Sequence, residues 1–301
     1  MKNLKKVLAL VLALCMILST FTALTITTAS AATPTFNDIE GKDYAEAVEV
    51  LSALGIVAGY EDGSFGGDKV VTRAEMAAFI VREIGLSNAA SSASANSSSF
   101  TDVGNGSADW AVGSINIATQ KKIIVGRGDG TFDPNSTVNY QEAVKMLVCA
   151  LGRDVVATRN GGWPSGYLIA GASCGLTDGI TGVEATDGCN RGVVAVLLYN
   201  ALEIDLMEET SYSGSAVQVE ETYKTLLYDY LNVVKYYDAE ITATPTQGAS
   251  KSADGFAKIS GTYDYYNQEG IKANSLKVEI GETDPDAFFG DYLSSADHTY
   301  M

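Results

Sequence analysis

Arg73 and Arg191 each stand directly after a helix-capping residue, Thr72 and Asn190, in the first turn of the helix that follows. A cation there opposes the helix dipole, at a cost of about 0.3–1 kcal/mol, so its retention asks for a partner. Two partners are open: an anion held beside the helix N-terminal amides, or a nearby carboxylate such as Asp38. Trp110 and Trp163 each head a helical stretch; either they close a core, or they offer a flat platform for a sugar ring. Asp38 and Asp102 end two Phe-x-Asp openings, where a carboxylate can accept sugar hydroxyls. Aromatic face, carboxylate and guanidinium together suit an acidic carbohydrate.

The elements that must position these six residues recur along the chain. Met76, Phe79, Ile80 and Ile84 have the spacing of one helix face, and so do Ala143, Met146, Leu147 and Leu151, then Val194, Leu197, Leu198 and Leu202. Thr72 with Glu75 and Asn139 with Glu142 form capping boxes, whereas Asn190 caps alone because Val193 replaces the glutamate. Each cap stabilises its helix by about 1 kcal/mol. Glycine turns from Gly59 to Phe65 and from Gly126 to Phe132 precede the first two helices, and Tyr44 to Leu54 reads as a further helix ended by Gly55. A stripe this short cannot be buried by one copy. The expected fold is therefore mainly α, three copies packed in pseudo-threefold fashion around one core.

The copies span 35–86, 100–152 and a degenerate 153–203 that lacks the Phe-x-Asp opening. Ser87 to Ser99, nearly all Ser, Ala and Asn without periodicity, reads as a flexible linker. From about 222 the character changes. Leu226, Leu227, Tyr230, Leu231 and Val234 mark another amphipathic helix, and Ala257 to Ser260 and Leu276 to Ile280 alternate like half-buried strands. Residues 222–301 are thus expected to form a small β-containing module. No closing element precedes Met301, so an incomplete last module is expected.

The 301 residues carry 20 Lys and Arg against 37 Asp and Glu, a net charge of −17. Residues 1–31 read as a secretory leader: Lys2, Lys5 and Lys6, an apolar run from Val7 to Ile17, and Ala29-Ser30-Ala31 for cleavage. That run is too short to span a bilayer, and bulky Leu14 before Cys15 argues against lipidation. No membrane insertion is expected after cleavage. Loss of the basic leader leaves a still more acidic chain, which repels nucleic acid; solubility after export is the plain reading of that charge. Cys149, Cys174 and Cys189 lie among apolar residues, odd in number, and read as small buried side chains. A Cys174–Cys189 bridge stays open. No metal site and no cofactor is expected.

Signals for catalysis are weak. Gly171-Ala172-Ser173-Cys174-Gly175 fits the G-x-S-x-G pattern, yet it ends a helix rather than following a strand, and His298, the only histidine, is far along the chain. Asp129, Asp133 and Asn135 lack the glutamate that a calcium loop needs twelve positions on, and read as a turn.

Taken together, Val71-Thr72-Arg73-Ala74-Glu75, the turn from Gly59 to Phe65 and the opening Phe36-Asn37-Asp38 resemble an S-layer homology repeat. The second copy is similar, and Arg191 with Leu197 to Leu202 resembles the ending of a third, so that the likeness covers about 35–203. The resemblance implies a three-pronged spindle around a central three-helix bundle. It also implies non-covalent attachment to pyruvylated secondary polymers on Gram-positive peptidoglycan, through grooves between repeats. By that resemblance Arg73 and Arg191 bind the pyruvyl carboxylate, Asp38 and Asp102 take sugar hydroxyls, and Trp110 and Trp163 stack on the ring. Tyr140 stands where the second arginine belongs, and Asp43 where the first tryptophan does, with Tyr44 beside it as a partial substitute. One or two working grooves are therefore expected. The resulting expectation is a secreted wall-anchoring protein that performs no chemistry. A wall-tethered enzyme and a self-associating S-layer subunit stand as the alternatives.

Overall fold

The computed structural model describes residues 36–233, apart from 95, 96, 105, 107, 214, 215, 223 and 232, and beyond them the strands between positions 236 and 280. The expected leader over 1–31 and His298 lie outside the described residues. The chain is helix-rich: α1 (Ala45–Ala53), α2 (Arg73–Glu83), α3 (Ser87–Ala93), a 3-10 turn (Asp109–Ala111), α4 (Val112–Gln120), α5 (Tyr140–Ala150), α6 (Asp154–Arg159), α7 (Ser165–Ser173) and α8 (Arg191–Ala201). No described helix is long and apolar enough to cross a membrane.

Helices α2, α5 and α8 carry the three stripes, and every stripe residue named above is buried. The three helices touch one another pairwise. Their entry points are tied by a closed ring of backbone hydrogen bonds: Val71 N–H donates to Cys189 O, Cys189 to Val138 and Val138 to Val71, each at 2.9 Å. Such a ring needs three chemically equivalent strand ends, which is what the repeated sequence supplies. Cys189 sits in the ring as a free thiol, its pKa pushed up to about 12 chiefly by burial. The Cys174–Cys189 bridge left open by the sequence is not formed.

The outer helices pack cyclically. Helix α4 lies on α2, α7 on α5 and α1 on α8, so each copy's first helix covers the preceding copy's core helix. This arrangement buries the short stripes that no single copy could cover.

Ser87 to Ser99, expected as a linker, begins instead with α3. The helix escaped notice because one buried residue, Ala90, creates no periodic stripe. Its anchor is a close backbone approach: a Cβ on Gly113 of α4 would meet the Ala90 carbonyl oxygen at 1.8 Å. The next copy repeats the device, since a Cβ on Gly166 of α7 would lie 2.2 Å from the Ala157 carbonyl oxygen of α6. Only glycine admits either contact.

The segment after α8 also departs from expectation. It forms a hairpin, β1 (Met207–Ser213) paired antiparallel with β2 (Ala216–Glu221), then a single π-type turn (Leu226–Tyr230) in place of a longer amphipathic helix. Leu206, Leu226 and Leu227 are buried in the same core as the repeats. The segment closes the C-terminal ends of all three core helices. Met207 N–H donates to Leu151 O at 3.0 Å and Leu227 N–H to Leu202 O at 2.9 Å. A Cβ on Gly85, just past α2, would stand 2.5 Å from Tyr230 O. The buried Arg153 ties the hairpin down through Glu221 and the Asp205 carbonyl, both at 2.8 Å. Farther on, β3 (Tyr236–Ala243), β4 (Ala257–Tyr263) and β7 (Leu276–Ile280) form an antiparallel sheet in the order β3-β4-β7, and β5 (Tyr265–Tyr266) pairs with β6 (Lys272–Ala273). The strands expected at 257–260 and 276–280 are both present.

Glu83, the last residue of α2, is fully buried, and neither carboxyl oxygen has a hydrogen-bond partner among the described residues. Burial pushes its pKa well above the ordinary 4.5, so folding holds a proton that the unfolded chain has released. Stability therefore falls as pH rises from the unfolded pKa toward the folded one. Urea denaturation across pH 5–9 should show Glu83→Gln gaining on the parent by about 1.4 kcal/mol per pH unit within that window. A stability difference that stays constant with pH would show the carboxyl to be solvated.

Candidate ligand grooves

The amides of the capped helix starts are bonded within the protein. In α2 the Thr72 amide donates to Glu75 at 2.8 Å and the Glu75 amide to the Thr72 hydroxyl at 3.2 Å. The next copy's turn satisfies the two between them: Arg73 N–H donates to Ser136 O and Ala74 N–H to Pro134 O. Tyr140 and Gln141 donate likewise to Asp187 and Ala185, and Arg191 and Gly192 to Lys69 and Gly67. The first-turn amides that would draw an anion are thus what joins the copies.

Arg73 and Arg191 belong to the same joint, and each is only 6% exposed. Arg191 donates from Nε to Phe65 O at 2.9 Å and from Nη2 to Ala58 O at 2.6 Å, among the rings of Phe65, Phe79 and Tyr60. Arg73 repeats this one copy on, bonding Phe132 O at 2.9 Å and Val125 O at 3.2 Å, with its guanidinium 4.7 Å from the Phe132 ring centre. It adds a pair with Glu142 at 3.2 Å, not with Asp38. Burial lowers the Arg73 pKa, while Glu142 opposes that shift. The charge that looked misplaced against the helix dipole is answered by carbonyls, rings and one glutamate.

Asp38 and Asp102 clamp their own copies' turns. Asp38 accepts from the Phe65 and Gly66 amides at 2.7 and 2.8 Å, and Asp102 from Phe132 and Asp133 at 2.8 and 2.7 Å. Partial burial pushes the Asp38 carboxyl upward, but its amide donors outweigh this and leave it below its ordinary value. Asp129 accepts from Thr131 and closes its own turn. Ser173, at the end of α7, donates to Ala170 O, and no strand leads into it.

The tryptophans behave differently. Trp110 is 61% exposed and Trp163 47%, so neither closes the core. Trp163 borders a groove of about 260 Å³ that is also lined by Arg73, Arg127, Glu142 and Lys145. Lys145 Nζ lies 5.2 Å from the Trp163 ring centre, and Arg127 pairs with Glu142 at 2.7 Å. Glu142 thus lines the groove with three cations, of which Arg127 also pairs with Asp133 at 3.3 Å, on a chain of net charge −17. Arg127 and Lys145 escaped the sequence reading. Arg127 interrupts a glycine turn where the first copy has Tyr60, and Lys145 lies off the apolar stripe of α5. Tyr44, the expected substitute for the missing tryptophan, is wedged between backbones: a Cβ on Gly192 or Gly67 would strike its ring or hydroxyl.

Residues 35–77 and 99–144 match the S-layer homology domain. The chain is 39% identical over 191 residues to the "Middle cell wall protein" of Brevibacillus brevis, covering 64% of this chain and 17% of that protein. It is 37% identical over 210 residues to a "Cell surface protein" of Thermoanaerobacter kivui, covering 69% of this chain and 26% of the relative. A third match, 29% over 184 residues, is to "Exoglucanase XynX" of Acetivibrio thermocellus, covering 56% and 16%. The chain therefore spans about a sixth to a quarter of the length of these relatives. It is an S-layer homology domain protein of the cell surface.

Proposed function

We propose that the chain anchors non-covalently to the cell wall, its three copies forming a pseudo-threefold spindle around the bundle of α2, α5 and α8, and that it binds a pyruvylated secondary polymer. The observation that carries this reading is the half-exposed Trp163 ring set among cations on a strongly acidic protein. A sugar ring stacks on the indole, while Lys145 and Arg127 meet its carboxylate. Arg73 adds charge from the groove floor, and Asp102 holds the turn that carries Arg127 in shape. Binding of this kind requires no catalytic group.

Sedimentation with purified Gram-positive sacculi tests the reading. The full chain should co-sediment with intact sacculi and stay in solution with sacculi stripped of secondary polymer. Trp163→Ala and Lys145→Gln should each weaken retention at least about tenfold, equivalent to ~1.4 kcal/mol. Equal retention on both kinds of sacculi would sink it. The likeness to an exoglucanase favours a second reading, in which the same repeats tether a longer enzyme; glycan hydrolysis by a longer product of the same reading frame would mark that case.

A further inference from the structure

We propose that Tyr167 is a positioning residue of the Trp163 groove: its hydroxyl holds the Asp154 carboxylate and so keeps Lys145 free to meet an acid. The proposal rests on the reading of that groove as a carboxylate site and deepens it, by naming what leaves its lysine without a partner.

Lys145 Nζ lies against two rings, 5.2 Å from the centre of Trp163 and 5.1 Å from that of Tyr167. It forms no ion pair among the described residues. A carboxylate is nonetheless close by. Asp154 opens α6, and Cys149, one turn beyond Lys145 on the same face of α5, donates to its Oδ1 at 3.8 Å. Both charges act on that thiol: burial above all pushes its pKa up to about 12, Asp154 adds to the rise, and Lys145 opposes it. Unlike charges attract, and an ammonium on a flexible four-carbon stem is free to follow. What stands in the way is the Tyr167 hydroxyl, which donates to the same Oδ1 from a buried ring on α7. Burial, then the bond to Asp154, raises the Tyr167 pKa, so the phenol keeps the proton it donates. The Tyr167 and Trp163 ring centres are 6.3 Å apart, so the residue that restrains the carboxylate also backs the indole. An Asp154 paired with Lys145 would cancel one of the groove's cations before any ligand arrived.

The preceding joint between copies shows the set changing as a unit. With the stripes aligned and Trp110 set against Trp163, Ala78, Arg82, Ser87 and Ser114 stand where Lys145, Cys149, Asp154 and Tyr167 do. Those four line one groove as well. There the lysine, the carboxylate and the phenol are all absent. A ring needed only to fill the space between a core helix and the outer helix laid on it would be expected in both joints. A phenol needed to restrain a carboxylate is expected only where the carboxylate and its lysine are.

Sedimentation of the full chain with intact sacculi, read as half-saturation, tests this. Tyr167→Phe keeps the ring and should weaken retention about fivefold, the reach of an exposed ion pair. Adding Asp154→Asn to it should bring retention back to within about twofold of the parent, because an amide cannot neutralise Lys145. A tyrosine that acts through packing alone would not be rescued in this way. Asp154→Asn by itself should also stay within about twofold of the parent. Crystal structures supply a readout that needs no ligand: in Tyr167→Phe, Lys145 Nζ should come within about 4 Å of an Asp154 oxygen. An unpaired lysine in that crystal, unchanged retention in a folded Tyr167→Phe protein, or no rescue by Asp154→Asn would overturn the proposal. So would an approximately tenfold loss in Asp154→Asn alone, and that variant decides the matter if Tyr167→Phe fails to fold by circular dichroism. If stripped sacculi retain the parent as well as intact ones do, the anchor reading falls, and the Lys145–Asp154 distance still decides this one.

Discussion

Arg73→Ala is expected to destabilise the repeat assembly by about 3–5 kcal/mol, the range seen when one partner of a buried charged pair is removed. The substitution strands the Phe132 and Val125 carbonyls and leaves Glu142 with Arg127 alone on its Oε1. It also takes a cation off the Phe132 ring at the joint between two copies. Urea denaturation followed by circular dichroism measures the loss. Arg73→Lys should recover only part of it, because an ammonium cannot reach three acceptors as a planar fork does. A cost below about 1 kcal/mol would show that the guanidinium is solvated and free for a ligand. That result would favour direct carboxylate binding by Arg73, the role the family resemblance implies.

Ending the chain at 203 is expected to be costlier still. The truncation removes Leu206, Leu226 and Leu227, all buried against the ends of the core helices. At about 1.5–3 kcal/mol for each of these three side chains, the loss is on the order of 4.5–9 kcal/mol as an upper bound. A typical domain has roughly 5–15 kcal/mol of stability in total. The hairpin also carries Glu221, the partner of the buried Arg153. The shortened chain should therefore lose near-ultraviolet circular dichroism and unfold at much lower urea than the chain through 233. An unchanged urea midpoint would mean that the three copies are self-sufficient and that the closing segment only rests on them.

The miss at the closing segment has a local cause. Leu226, Leu227, Tyr230 and Leu231 have helix-like spacing, and spacing reports only that one side is buried. It does not say that the burying surface is the ends of the repeats' core helices, where one turn suffices. The docking of α3 was hidden for a similar reason. Its contact is a carbonyl against a glycine, Ala90 on Gly113, and backbone contacts leave no side-chain pattern. Glu83 gave no signal either, since a glutamate near a helix end ordinarily faces water.

Residue order alone determined that three helices share a stripe, where two of them have capping boxes, and that the copies need one another. Those properties depend on spacing within a dozen residues and on the hydrophobic cost of leaving short stripes wet. Tertiary structure decided the partners. It aims each core helix at a neighbouring copy's turn, so Arg73 finds Phe132 and Arg191 finds Phe65. Val183 stands in the third turn where those phenylalanines stand in the others, and the helix that bonds to this turn is the one carrying Tyr140 in place of arginine. Arginine and ring are thus lost together, a coupling invisible until the direction of docking is known. Exposure was likewise a tertiary outcome: the same packing that sealed both first-turn arginines left the two tryptophans and Lys145 at the grooves, because a side chain's access to water depends on what the rest of the chain lays over it.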